Sequence, residues 1–436
     1  MPAILLLGAL LSAAPEPPGV VVVAPEAWSE ALAPWVAARS AELQVESVAL
    51  EELLAGAGGA DAPEKIKRHL YRAWSERGAR YALLVGDADV FPVRFMVLDR
   101  KTEAAFDTAF YPSDLYYADV ADGEGAFDDW NGARRGHHAT YWGEVRGEKH
   151  KDGPINHDGI SYVPELAVGR WPVSTAEELE AVVAKTLAWV PRAEEPRALF
   201  VHAGGWVDAR ARVGRLADGL ADRGWSAERL FYGGRGSAPS PPLVRGALLE
   251  GVELAVHVGH GTNEGWHGCL GRADGEALRA ASPAVYFSVG CSTAHLCTEP
   301  PYHAYVDVHG EEHAGTNAGE VFEVPPPPPA PLQPGAYNST GLGERLLRAP
   351  TGGAVGYIGC TTGAQPCALS LLDGFLGAVA HEPDRRLGDA WREALAHYHA
   401  AERLAELEPT DSWYPPSVFF QGMKFILLGD PTLPLP

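Results

Sequence analysis

The sequence predicts an α/β protein built on a mostly parallel sheet and divided into two lobes. Three observations lead there. Short β-branched runs alternate with longer amphipathic stretches in Val20–Ala24, Trp28–Ala38, Gln44–Ala49, Ala62–Arg77 and Tyr81–Val85, and parallel strands need crossover helices of this kind. At 436 residues the chain is too long for one small core. Its 46% hydrophobic and 21% charged residues supply enough apolar surface to offset the chain entropy of folding.

The first lobe is expected over residues 19–190, and those five segments open it. From about Arg100 to Tyr162 the rhythm fails and Gly, Asp, Asn and His dominate, as in a long surface loop region. It resumes with a strand at Val163–Val168 and a helix at Thr175–Trp189, with Ser174 or Thr175 as N-cap. The Pro- and charge-rich Pro191–Pro196 reads as the linker.

The second lobe, residues 197–436, repeats the pattern. Strands are expected at Ala198–His202, Leu254–Val258, Ala284–Ser288, Ala354–Ile358 and Phe425–Leu428, with helices at Arg210–Arg223, Pro242–Leu249 and Leu387–Ala401. An insert over residues 299–340 interrupts it. Its run Pro325–Pro329 has no N–H groups to give a ladder, so the insert is expected as a surface excursion serving as lid, pro-segment or docking element.

Asp and Glu number 57 against 35 Lys and Arg, a net charge of −22 that repels nucleic acid and anionic membranes. Met1–Ala14, apolar and ending in small residues, reads as a short signal peptide and predicts a secreted or periplasmic protein. No later segment reaches the roughly 18–20 apolar residues of a membrane span. Five cysteines are too few for a disulfide scaffold, and their odd number leaves one unpaired.

In open α/β sheets, ligands bind beyond the carboxyl ends of strands. Gly259-His260-Gly261-Thr262-Asn263 follows one expected strand, and Val289-Gly290-Cys291-Ser292-Thr293 ends the next. If those strands are neighbours, an imidazole and a thiol meet at one edge. His260 then serves as base and Cys291 as nucleophile. The glycines allow tight turns, whose freed backbone N–H groups at Gly261 and Cys291 are candidate oxyanion donors.

The strings HVGHGTNEGW (His257–Trp266) and VYFSVGCSTAHL (Val285–Leu296) resemble the His and Cys motifs of gingipain-like cysteine peptidases. YALLVGDADVFP (Tyr81–Pro92), SDLYYADV (Ser113–Val120), LAVGRWPVSTAEEL (Leu166–Leu179), GGAVGYIGCT (Gly352–Thr361) and LLGDPTLPL (Leu427–Leu435) extend the resemblance in the family's order. It implies a caspase-like three-layer sandwich of two subdomains, protein or peptide substrates, no required cofactor, and a thioester formed on Cys291 with His260 as base. The family's histidine-orienting glutamate is absent, because the matching stretch reads Ala203-Gly204-Gly205-Trp206. Glu264 or Asp114 is the expected substitute, with a bare dyad as the alternative. Asp208 matches the acid that selects basic side chains, to within about one residue of alignment. It implies, with Trp266, a pocket for Arg or Lys; the competing reading is an aspartate stabilised at a helix N-terminus.

Asp119, Asp122, Glu124 and Asp128, with Asp129, crowd one loop as calcium ligands do, although a solvated acidic loop reads equally well. His257, His260 and His267 raise a zinc-hydrolase alternative, which strand alternation disfavours by turning His257 away from His260. His303, Asp307, His309, Glu311, Glu312 and His313 are further metal candidates inside the insert. An inactive binding or scaffold module of the same fold is the remaining alternative.

Overall fold

Ten strands join into one sheet in the computed structural model. It describes residues 18–97, 110–130, 154–156, 159–192, 194–234, 236, 238–316, 322–324, 326–381, 385–410, 412 and 414–436. Met1–Ala14, the expected signal peptide, lies outside them. The strands are β1 (Gly19–Ala24), β2 (Gln44–Ala49), β3 (Ala79–Val85), β4 (Ala167–Trp171), β5 (Arg197–His202), β6 (Ser226–Phe231), β7 (Leu254–Val258), β8 (Ala284–Val289), β9 (Ala354–Cys360) and β10 (Phe425–Gly429). Their order is β2-β1-β3-β4-β10-β9-β8-β7-β5-β6. Neighbours run parallel except β9 and β10, so the two halves of the sheet run in opposite directions and the C-terminal strand is the joint. β7 and β8 are adjacent and parallel, with His257 opposite Ser288 and Val258 opposite Val289.

Alternating strand residues bury on opposite faces, giving three layers. Val256, Val258, Phe287 and Val289 join the core beneath helices Ala62–Arg77, Arg210–Ala221, Leu369–His381 and Leu387–Ala401. Ala255 and Tyr286 face the core under helices Ser29–Arg39, Ala176–Ala188, Pro241–Leu249 and Leu342–Arg348. Among the described residues no helix is long and apolar enough to cross a membrane.

Three expectations change. The strand expected at Val163–Val168 lies at Ala167–Trp171, because Pro164 cannot donate to a ladder and the apolar run continues beyond it. Residues 110–121 are not a surface loop, because all are buried, Tyr111, Tyr116 and Tyr117 among them; the exposed loop here is confined to Asp122–Ala126, and the chain returns to the core at Trp130. The insert, too, is more than an excursion. The Pro331 carbonyl accepts from Val93 N–H, Gln333 N–H donates to Ala88, and the Pro328 carbonyl accepts from Val308 N–H. Prolines unable to donate thus contribute acceptors, and the insert is strapped to the segment that follows β3.

Candidate active site

The carboxyl ends of β9, β8, β7 and β5 are successive neighbours, and their four loops build the site. The last ladder bond between β7 and β8 runs from Gly259 N–H to the Val289 carbonyl at 3.4 Å. Immediately beyond it come His260 and Cys291. Their loops touch where a side chain could not fit: a Cβ on Gly261 would lie 2.5 Å from Thr293 Cγ2, 2.8 Å from Cys291 O and 3.2 Å from Cys291 N. The two backbones expected to donate to an oxyanion are therefore packed together. Ser292, next to the thiol, holds a left-handed φ of 52°, uncommon for a residue with a Cβ; its N–H donates to the Thr362 carbonyl at 2.6 Å.

His260 is exposed, and its Nε2 lies 2.9 Å from the carbonyl oxygen of Gly205. A carbonyl only accepts, so Nε2 carries the proton in that bond and the neutral ring keeps its lone pair on Nδ1. The loop carrying Gly205 is pinned by buried His202. That ring's Nδ1 donates to the Ala203 carbonyl, and its Nε2 accepts from Ala209 N–H, each at 3.0 Å. Cys291 is partly buried, and its Sγ accepts from Ala364 N–H at 3.3 Å. Burial pushes the Cys291 thiol above its ordinary value, opposed by the Ala364 N–H and the Lys424 ammonium.

Gly205 and Ala364, which hold the imidazole and the sulfur, escaped sequence reasoning because both act through backbone atoms. The Gly204-Gly205 pair at a strand end was the available signal. Neither carboxylate named as a third member meets the imidazole through a hydrogen bond. Asp114 makes a bidentate pair with buried Arg170, at 2.6 and 2.9 Å, and Glu264 pairs with Arg272. Trp266 is not a pocket wall: it is buried, stacks on His257, and donates its indole N–H to Tyr357 Oη at 3.0 Å. Asp208 is exposed and pairs with Arg210, at 2.9 and 2.8 Å; hydrogen bonds from Arg210 hold its carboxyl below the usual range.

Several of the candidate metal ligands serve neighbouring backbone or side-chain groups, while Asp119 Oδ1 is buried without a hydrogen-bond partner. Among the described residues no group of three or more His, Cys, Asp or Glu side chains is placed to hold a metal. Buried Asp119 accepts from Ser161 N–H and Oγ–H, Asp122 from Glu124 and Ala126 N–H, and Asp128 from Trp130 N–H. In the insert, Asp307 accepts from His309 and Glu311 N–H and pairs with His313. His257 and His260 are turned to different partners, Ser288 and Gly205.

The sequence profile of peptidase family C25 matches residues 13–436. The chain belongs to peptidase family C25. Members are cysteine peptidases, so the chain is an enzyme acting on peptide or protein substrates. The C25 chain resembles gingipain R, described as an Arg-specific cysteine proteinase, with TM-score 0.63 and 13% identity over 96% of this chain and 78% of the other. The complex of pro- and mature domains of Porphyromonas gingivalis RgpB matches with TM-score 0.62 and 16% identity, over 96% and 79%. A third structure, described as a protease, gives 0.59 and 18%, over 96% and 78%. No curated protein matches the chain. At these identities the structures speak for the fold, which is the caspase-like α/β sandwich of the gingipains.

Proposed function

We propose that this C25 peptidase is an endopeptidase in which Cys291 is the nucleophile and His260 Nδ1 the base. One observation carries the reading: the Gly205 carbonyl takes the proton-bearing side of the His260 ring, on a loop packed against the Cys291 backbone. That carbonyl orients the ring where other family members use a glutamate, so the missing carboxylate is no sign of lost activity.

In the reaction the Cys291 proton passes to His260 Nδ1, and the sulfur attacks the peptide carbonyl carbon. Charge that develops on the carbonyl oxygen is met by the N–H groups of Gly261 and Cys291. The imidazolium then protonates the leaving nitrogen, the C–N bond breaks, and a thioester remains. Water, deprotonated by His260, attacks the thioester and releases the acid product and the thiol. Specificity for Arg or Lys would rest on Asp208, whose carboxylate must exchange Arg210 for the substrate. The reading includes export directed by Met1–Ala14.

A panel of fluorogenic peptides varied before the scissile bond, assayed with wild type and Cys291→Ala, tests the proposal. Hydrolysis by wild type alone is expected, with faster turnover of Arg and Lys substrates. Hydrolysis retained by Cys291→Ala would overturn the mechanism, and equal rates on Arg and Leu substrates would remove the basic preference.

A further inference from the structure

Beneath the two turns that carry Cys291 and His260 lies a histidine that the reaction scheme does not use. His257, on β7, is buried and points to the face opposite Val256 and Val258. Its ring lies on the indole of Trp266, with centroids 4.6 Å apart and planes 4° from parallel. Its Nδ1 is 2.9 Å from Ser288 Oγ, on the residue directly opposite in β8. Stacking fixes the plane of the ring, and the hydrogen bond fixes its rotation within that plane.

The edge of this ring abuts both turns. A Cβ on Gly259, which precedes His260, would lie 3.2 Å from His257 Nε2; one on Gly290, which precedes Cys291, would lie 3.1 Å from Cε1 and 3.3 Å from Nδ1. The ladder ends at the 3.4 Å bond from Gly259 to Val289; beyond it no hydrogen bond among the described residues joins the tips, and they meet by packing, with a Cβ on Gly290 placed 3.0 Å from the Gly259 carbonyl oxygen as well as against the His257 ring. Nε2 is buried without a hydrogen-bond partner. A buried polar atom left unmatched is unfavourable, and an aliphatic residue at this point of an apolar strand would avoid it.

We infer that His257 is a positioning residue, a flat wedge keyed by Ser288 and Trp266 that sets the separation of the His260 and Cys291 turns. Burial, with His202 and His260 nearby, pushes its pKa down to about 3, so the wedge is a neutral ring across the working range of a thiol peptidase. The inference rests on the assignment of Cys291 and His260 to the reaction.

The test measures kcat, KM, melting temperature and the rate of Cys291 alkylation for wild type, His257→Leu, His257→Phe and Ser288→Ala, on a peptide that wild type cleaves. Misplacement of reacting groups by about 1 Å costs up to ~100-fold. His257→Leu is therefore expected to lower kcat at least about tenfold, with KM within about twofold. His257→Phe keeps a flat ring on Trp266 and should recover part of that loss, whereas Ser288→Ala, which leaves the ring unkeyed, should fall between wild type and Leu. Unchanged kcat in His257→Leu overturns the inference. So does a Phe variant no better than Leu when both follow the melting temperature. If His257→Leu does not fold, unchanged kcat in both His257→Phe and Ser288→Ala overturns it instead. Cys291→Ala separates the two levels: activity in that variant removes the mechanism itself, whereas an inactive Cys291→Ala beside a fully active His257→Leu removes the positioning role alone.

Discussion

Two clusters of polar side chains in this molecule are put to opposite uses. At the ends of β5, β7, β8 and β9, the Cys291 thiol and the His260 ring bond only to backbone groups, the N–H and carbonyl of Ala364 and the carbonyl of Gly205. Near Trp130, by contrast, buried Lys67 lies over two aromatic rings, 4.2 Å from the centroid of Trp130 and 4.6 Å from that of Tyr116. It also feels the charges of Asp119, Asp128 and Glu165. Burial pushes Lys67 down to about 8 and Asp119 and Asp128 up to about 6, while attraction between the opposite charges resists each shift. The more highly charged cluster is sealed from solvent at its centre, with Lys67 Nζ and Asp119 Oδ1 buried and lacking a hydrogen-bond partner. The less charged one leaves an imidazole exposed and a thiol only partly buried, so accessibility separates the two clusters better than charge density does.

Exchange of effects between the clusters is the strongest way to break that comparison. His260→Ala should cut kcat/KM by about 1000-fold or more while the melting temperature stays near wild type. Lys67→Met should do the reverse, because it removes the cation held over the Trp130 and Tyr116 rings and facing buried Asp119: unfolding free energy should fall by about 2 kcal/mol, with kcat of the folded fraction unchanged. Urea unfolding beside active-site titration reads both quantities. A Lys67→Met enzyme of normal stability, or a His260→Ala enzyme that unfolds more readily than Lys67→Met, would dissolve the distinction.

A smaller effect sharpens the open cluster. The Cys291 thiol is raised by burial, so its thiolate forms at higher pH than that of an ordinary cysteine. Iodoacetamide labelling of Cys291 should therefore climb through a midpoint above about 8.5, the value of a free thiol. A standing thiolate–imidazolium pair would instead place the midpoint below that value. His260 acts as general base in the first case, and in the second the sulfur is already charged when substrate arrives.

Much of this was legible in the chain. The helix Ala62–Arg77 and strands Gln44–Ala49 and Leu254–Val258 fall where the sequence pattern puts them: the helix buries one face through Ile66, Leu70 and Ala73, whereas Leu254–Val258 is a short apolar run buried on both faces. β6 went unread since Ser226–Phe231 is an edge strand with mostly unburied, polar positions. The helix Leu369–His381 is apolar on most sides and buried against several neighbours, which erases its amphipathic signature. At the site, His260 and Cys291 could be named from strand ends, whereas the Gly205 carbonyl could not, since its position depends on how β5 and β7 sit side by side. Asp114 was named from its motif; only the fold could reveal that Arg170 holds it.

The smallest expected effect concerns the acidic loop at Asp122, whose composition suits either calcium or solvent. Asp122 Oδ1 accepts from Glu124 and Ala126 N–H, both at 2.9 Å, inside a turn that Asp122 N–H closes onto the Ala126 carbonyl at 2.8 Å. Such a carboxylate serves its own backbone, and a cation would have to compete with two hydrogen bonds for the same oxygen. Asp122→Ala should therefore lower stability by only about 1 kcal/mol, and Asp122→Asn, which retains an acceptor, by less. Neither difference should depend on calcium. A rise in melting temperature on adding calcium that disappears in Asp122→Ala would return a metal to this loop, and the acidic cluster would then count as a site rather than a self-contained turn.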